Sequence, residues 1–240
     1  MAVPASAQEC ANHLLSRLPE QEYQALKPHL TWVPTPLRMV LFERDKKIEY
    51  VYFPLSGAHS VLSIMEGGAM VEVGNFGNEG FSTVEILTGS ELAIETTICQ
   101  IPGESLRMDA AKFREILNGE NELRRLVYRY LQAYLAQVSQ SVACNRLHST
   151  EERFARWILM SHDRAPGDEF QLTQEFLADM LGVHRPSVSL VARTFQRAGL
   201  LKYNRGVVTI LDRAGIEEAC CECYGVVRKQ FERTIGKSVS

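Results

Sequence analysis

The residues best suited to chemistry in this 240-residue chain are cations gathered in one short stretch. Between Gly182 and Arg213 stand Arg185, Arg193, Arg197, Lys202, Arg205 and Arg213 against the single anion Asp212, a local charge of +5. The chain carries −3 overall, which leaves −8 on the remainder. A basic patch on an acidic body draws phosphate to one face and repels it elsewhere, the electrostatic pattern of a nucleic-acid reader. Hydroxyl groups that can bond bases or phosphates, Ser187 and Ser189, lie inside the same stretch, and Thr173 lies just before it.

The other reactive residues point less clearly. Six cysteines occur at positions 10, 99, 144, 220, 221 and 223. Free thiols are the expectation, because no second C-x-x-C pair or histidine stands near Cys220, Cys221 and Cys223 in sequence; no metal ligand is assigned. There is no nucleophile elbow, no phosphate loop and no His-Glu-x-x-His, so an enzyme is not expected. No apolar run reaches the ~20 residues of a membrane span, and the N-terminus lacks a basic start before an apolar block. A cytoplasmic location is therefore expected.

The cations need a scaffold, and residues 174–193 supply one. Two crossing helices need a small residue where they meet and a turn that tolerates positive φ; Ala178 and Gly182 meet these demands. Thr173 can cap the first helix, and Pro186 falls in the first turn of the second, where its missing N–H costs nothing. Val188, Val191 and Phe195 form an inward stripe facing Leu177 and Leu181. The outward face then carries Pro186, Ser189, Leu190, Arg193 and Arg197, with Arg185 and Ser187 at the leading turn. This is a helix-turn-helix, and its second helix is the one that enters a major groove. Arg185 is expected to contact guanine, Ser187 and Ser189 bases or phosphates, Leu190 a thymine methyl, and Arg193 and Arg197 phosphates. After Gly199, two alternating runs around Asn204-Arg205-Gly206 predict a hairpin wing with Arg205 at its tip. Asp212 is expected to cap a last helix from Arg213 to about Arg233.

The rest divides in order along the chain. Met1 to Gln8 reads as a loose tail, and residues 9–30 read as helical, with Pro19 opening a new turn. Residues 31–106 contain short β-branched and aromatic runs, such as 39–42, 48–53, 71–73 and 94–99, separated by Gly and Pro; these predict a sandwich or jelly roll. A short helix is expected at 109–118, then a long one at about 120–147 with no Gly or Pro. Its apolar steps at Val127, Leu131, Tyr134 and Val138 suit a helix–helix seam between two copies. Asn145 to Thr150 is the expected hinge. The fold class is α+β: a β jelly-roll sensor domain over 9–118, a dimerisation helix over 119–148 and a winged helix-turn-helix over 149–234.

This arrangement, with Gly74-Asn75-Phe76-Gly77-Asn78-Glu79-Gly80 and the segment Leu172 to Leu211, resembles the bacterial Crp/Fnr family across nearly the whole chain. The resemblance implies a homodimer that reads a pseudo-palindromic duplex, has RNA polymerase as a partner, and holds a small effector near Gly77, Asn78, Glu79 and Gly80. The effector is unknown. Cyclic-nucleotide-binding members place a phosphate-gripping arginine about ten residues after the glutamate, where this chain has Gly89-Ser90. Residues 48–106 hold eight Glu and no Lys or Arg, so cyclic AMP is not expected; an unpaired buried phosphate would cost several kcal/mol. An iron–sulfur cluster is not expected because Cys10 stands alone, and haem is not expected because His59 is better read as structural. Family members often follow the first recognition arginine with an acidic residue and a later arginine. Pro186 and Leu190 stand there, so the half-site should differ from the family's best-known sequence. The alternative is a stand-alone sensor acting through protein partners.

Overall fold

In the computed structural model, residues 2–236 are described. The chain opens with packed coil rather than a loose tail. Ala7 is buried, its N–H donates to Glu20, and the Tyr23 hydroxyl donates to the carbonyl of Pro4; Met1 lies outside the described residues. Helix is confined here to α1 (Glu20–Leu26), which starts after Pro19, and to two single turns. Asn12 explains why the coil is fixed. Its amide donates to the carbonyls of Pro54 and Gly80, and its oxygen accepts from Leu14 and Leu15, so four polar groups are satisfied at a fully buried site.

Two antiparallel sheets form the β region. One has the order β1 (Thr31–Thr35), β7 (Gly103–Asp109), β3 (Tyr50–Pro54). The other runs β2 (Val40–Phe42), β6 (Thr96–Ile101), β4 (Ala58–Ile64), β5 (Met70–Phe76). Their strand order is non-sequential, as a roll requires. Phe53, Phe81 and Phe113 pack together in its core, with ring centroids 5.6–6.0 Å apart.

Asp109 caps α2 (Ala110–Leu117) by accepting from Ala111 and Lys112. Asn121 caps α3 (Glu122–Leu147) in the same way. This long helix places Leu123, Val127, Tyr130 and Tyr134 in the core of the β region. Two members of the expected seam, Val127 and Tyr134, therefore face inward, because the β roll claims that stripe. The face left to solvent is offset by one residue: Tyr128, Leu135 and Val142 are exposed, and Leu131 and Val138 are half-buried. Their steps alternate three and four, which is the heptad spacing.

The helix ends at His148. Ser149 then opens α4 (Thr150–His162) with a reciprocal capping box to Glu152. Strand β8 (Glu169–Gln171), α5 (Gln174–Leu181), α6 (Arg185–Arg197), β9 (Leu201–Asn204) and β10 (Val207–Ile210) follow. The single last helix expected from sequence is two, α7 (Arg213–Glu218) and α8 (Cys223–Ile235). A continuous helix would turn Cys221 and Cys223 about 200° apart. The break allows both to be buried. Among the described residues, no helix is long and apolar enough to cross a membrane.

Candidate nucleic-acid interface

The helix-turn-helix is built from the inside out. Leu177 and Leu181 on α5 pack with Val188, Val191, Ala192 and Phe195 on α6, all buried, and the Phe195 ring lies 5.0 Å from Phe154 on α4. Ala178 is buried between the helices. Gly182 ends α5 at φ 60°, a left-handed conformation that an L side chain adopts at a cost. Thr173 caps α5 by accepting from Phe176.

Fixing that inner stripe fixes the outer one. Arg185, Pro186, Ser187, Arg193 and Arg197 are exposed, and Leu190 keeps 61% of its surface in water. Leu190 is therefore not part of the buried stripe. Ser189 differs from the others: it is half-buried, and its hydroxyl donates to Gln174 at 2.6 Å. Gln174, the first residue of α5, was not anticipated, although its place directly after the capping Thr173 was readable. Arg193 is braced by donating to the carbonyl of Ser189.

The wing is a three-stranded sheet in the order β8–β10–β9. Arg205 (φ 48°) and Gly206 (φ 81°) make a two-residue turn with both φ positive, the kind whose twist suits a tight hairpin. Arg205 projects from the tip. Arg213 does not join the outward cations. It bonds Asp163 at 2.7 Å, Glu217 at 2.9 Å and the Tyr224 hydroxyl at 2.7 Å, tying α7 to α4 and α8.

The glycine-rich stretch of the β region is filled by the protein's own side chains. A Cβ on Gly80 would fall 2.1 Å from the Tyr130 ring, and one on Gly77 would fall 2.7 Å from Arg164. Arg164, just after α4, bonds Glu79 at 2.7 Å, with both side chains largely buried. Burial pushes the Glu79 carboxyl up, but the charge and hydrogen bonds of Arg164 outweigh it and hold Glu79 below the usual carboxylate range. Asn78 and Glu79 line a cavity of about 360 Å³ between the β region and α8. A second cavity, of about 280 Å³, lies between the β roll and α3. It is lined by Phe76, Phe81, Tyr134, Glu85 and Glu95 among others, with no Lys or Arg among the described lining residues. His59 is fully buried and stacks on Phe76 at 5.1 Å.

The two halves of the chain touch directly. Gln100 of β6 donates to Ser161 of α4 at 2.7 Å, and Ala58, Leu62 and Ile101 of the β region share a core with α4 to α6.

Residues 152–219 match the Crp-like helix-turn-helix domain. No curated protein sequence matches the chain. Among solved structures, a putative transcriptional regulator of the Crp/Fnr family from Eubacterium rectale is similar, with TM-score 0.68 and 17% identity over 86% of this chain and 96% of that one. FixK2 from Bradyrhizobium japonicum has TM-score 0.67 and 14% identity, covering 80% of this chain and 98% of its own. TTHB099, a CRP-family regulator from Thermus thermophilus, has TM-score 0.66 and 19% identity, covering 78% and 95%. This chain thus carries a Crp-like helix-turn-helix domain within the fold shared by the Crp/Fnr transcriptional regulators.

Proposed function

We propose that the chain is a homodimeric, sequence-specific DNA-binding transcription regulator, not an enzyme, whose effector is not cyclic AMP. One observation carries the DNA reading: the outer face of α6 combines Arg185, Ser187, Leu190, Arg193 and Arg197 while its inner face is core. Arg185, at the leading turn, reads guanine, Leu190 meets a thymine methyl, and Arg193, Arg197 and Arg205 hold phosphates. Ser187 reaches a base or phosphate. Ser189 and Thr173 act mainly through Gln174 and the start of α5, which they position at the backbone of the duplex.

Dimerisation supplies the second half-site. Tyr128, Leu131, Leu135, Val138 and Val142 offer a stripe that a second α3 would cover, and a two-fold pair of recognition helices reads a pseudo-palindrome. RNA polymerase is the partner through which such a dimer would act. The effector belongs in the 280 Å³ cavity beside α3, where Glu85 and Glu95 favour an uncharged or cationic molecule over a phosphate. The proposed units are the sensor (9–118), the dimer helix (119–148) and the DNA-binding unit (149–234).

Selection of duplexes from a random pool, followed by titration across salt concentrations, tests the proposal. It expects an enriched two-fold-symmetric site and a steep salt slope. Binding no stronger than background at low salt would favour a sensor that acts through protein partners.

A further inference from the structure

We propose that Cys144, His148, Cys221 and Cys223 form a closed Cys3His site for a tetrahedral divalent cation, zinc, that fastens the end of α3 to the start of α8. The four are scattered over 80 residues of sequence, yet their donor atoms all lie within 4.8 Å of one another. Cys144 and His148 are four apart, so the end of α3 stacks them on one face. Cys221 lies in the break between α7 and α8, Cys223 is the first residue of α8, and the two close over them.

The spacing suits a shared cation better than a disulfide. Bonds of ~2.3 Å to sulfur and ~2.0–2.1 Å to nitrogen give tetrahedral edges of ~3.8 Å between sulfurs and ~3.5 Å between sulfur and nitrogen. Cys144 Sγ lies 3.6 Å from Cys221 Sγ, and Cys223 Sγ lies 3.5 Å from His148 Nδ1. A disulfide would need the sulfurs at ~2.05 Å.

The surroundings also fit. His148 Nε2 stands 3.2 Å from Glu222, the carboxylate partner that turns a ligating imidazole and leaves Nδ1 free to coordinate. The Gln140 amide donates to Cys223 Sγ at 3.1 Å. The three thiols are buried and make a small cluster of their own, apart from the two large apolar cores. When the cation binds, the three thiols release three protons and the imidazole binds neutral, leaving the site at −1. Arg153 and Arg156 line one cavity with Cys144 and supply the countercharge.

Four protein ligands leave no open position, so the site is structural rather than catalytic. Its position gives it leverage. Cys144 lies in the last turns of α3 and His148 immediately precedes Ser149, where the chain turns into the proposed DNA-binding unit, and α8 closes that unit. A cation here fixes the direction in which α4 leaves α3. The assignment stands on these contacts and does not require the DNA-binding reading.

The test uses the full chain, purified under reducing conditions without chelator. Elemental analysis should find one zinc per chain. Chelator-treated protein should take up Co2+ with the intense visible bands of tetrahedral cobalt and a thiolate charge-transfer band, both abolished by Zn2+, and should release three protons per cation. Glu222→Gln should weaken Co2+ binding 10- to 100-fold with the spectrum unchanged in shape. Cys223→Ser should lose it further, and Cys220→Ser should bind as the parent does. Because cysteine variants can misfold, the parent chain decides. Folded, reduced parent protein that takes up neither Zn2+ nor Co2+ at micromolar concentration overturns the proposal. So does an octahedral cobalt spectrum, or a Cys144–Cys221 disulfide, two hydrogens lighter by mass, in place of metal.

Discussion

Glu79 and Arg164 are 85 residues apart in the chain and 2.7 Å apart in space. The pair joins the glycine-rich stretch of the β region to the segment leaving α4. It also puts a cation where the sequence from 48 to 106 supplies none. Removing one partner leaves the other charged and largely buried, at a cost of about 3–5 kcal/mol. Arg164→Ala should therefore lower the urea midpoint clearly, and Glu79→Gln should do the same at pH 7. The folded carboxyl is held below its unfolded value, so its stabilisation is full above the ordinary carboxylate range and is lost as pH falls through the folded value. Glu79→Gln should flatten stability in that acid window. An Arg164→Ala variant as stable as the parent would show that the pair is not a clamp.

Tyr130 lies against Gly80 so closely that a methyl group cannot be added without displacing the ring. Tyr130 is fully buried between Phe81 and Phe231 and has little room to yield. Gly80→Ala should cost about 1–3 kcal/mol by overpacking, seen as a lower Tm. Tyr130→Phe should be neutral or stabilising, since the buried hydroxyl has no hydrogen-bond partner among the described residues.

The sequence made some of this legible and not the rest, for physical reasons. The helix-turn-helix is a local object: Ala178, Gly182, Pro186 and the Val188–Val191–Phe195 stripe lie within about twenty residues, so spacing alone specified it. The caps at Thr173 and Asp212 are local too. The seam on α3 is not, because its apolar residues serve two surfaces at once. Val127 and Tyr134 satisfy the β roll while Leu135 and Val142 face out, and only packing separates the sets. The Arg164–Glu79 pair and the Cys144, His148, Cys221, Cys223 cluster are long-range and carry no periodic signal. Cys220, Cys221 and Cys223 lacked a partner because theirs lay some 75 residues away.

The exposed stripe on α3 gives the dimer a direct test. Leu135 and Val142 keep 54% and 68% of their surface in water within one chain, so an acidic substitution there should leave the protomer folded. Leu135→Glu would place like charges together across a two-fold seam. Sedimentation should shift from dimer to monomer with unchanged circular dichroism. A dimer that persists in Leu135→Glu places the interface elsewhere.

On the DNA side, the cations should separate by role. Arg185→Ala should cost about 1–3 kcal/mol and relax preference at one base pair of the half-site. Arg205→Ala should weaken binding to all sequences alike and reduce the salt slope by about 1. Leu190→Ala should lose discrimination at a single position without altering the salt slope. If Arg185→Ala kept full sequence preference, another side chain would have to be the principal reader.

His59 provides a pH prediction with a defined sign. Its ring is fully buried, stacks on Phe76, and has neither nitrogen hydrogen-bonded among the described residues. Burial lowers its pKa to about 3, against an ordinary value of 6.5. Between those values the unfolded chain binds a proton that the folded chain refuses. Stability from this group is therefore full above pH 6.5 and falls as pH drops toward 3, by about 1.4 kcal/mol per pH unit. His59→Leu removes the proton site and two unpaired buried nitrogens at similar volume. It should match or exceed the parent at pH 7 and lose less stability between pH 6.5 and 5, measured by urea midpoints at each pH. An identical slope in the variant would shift the acid sensitivity to the carboxylates, with Glu79 the first to examine.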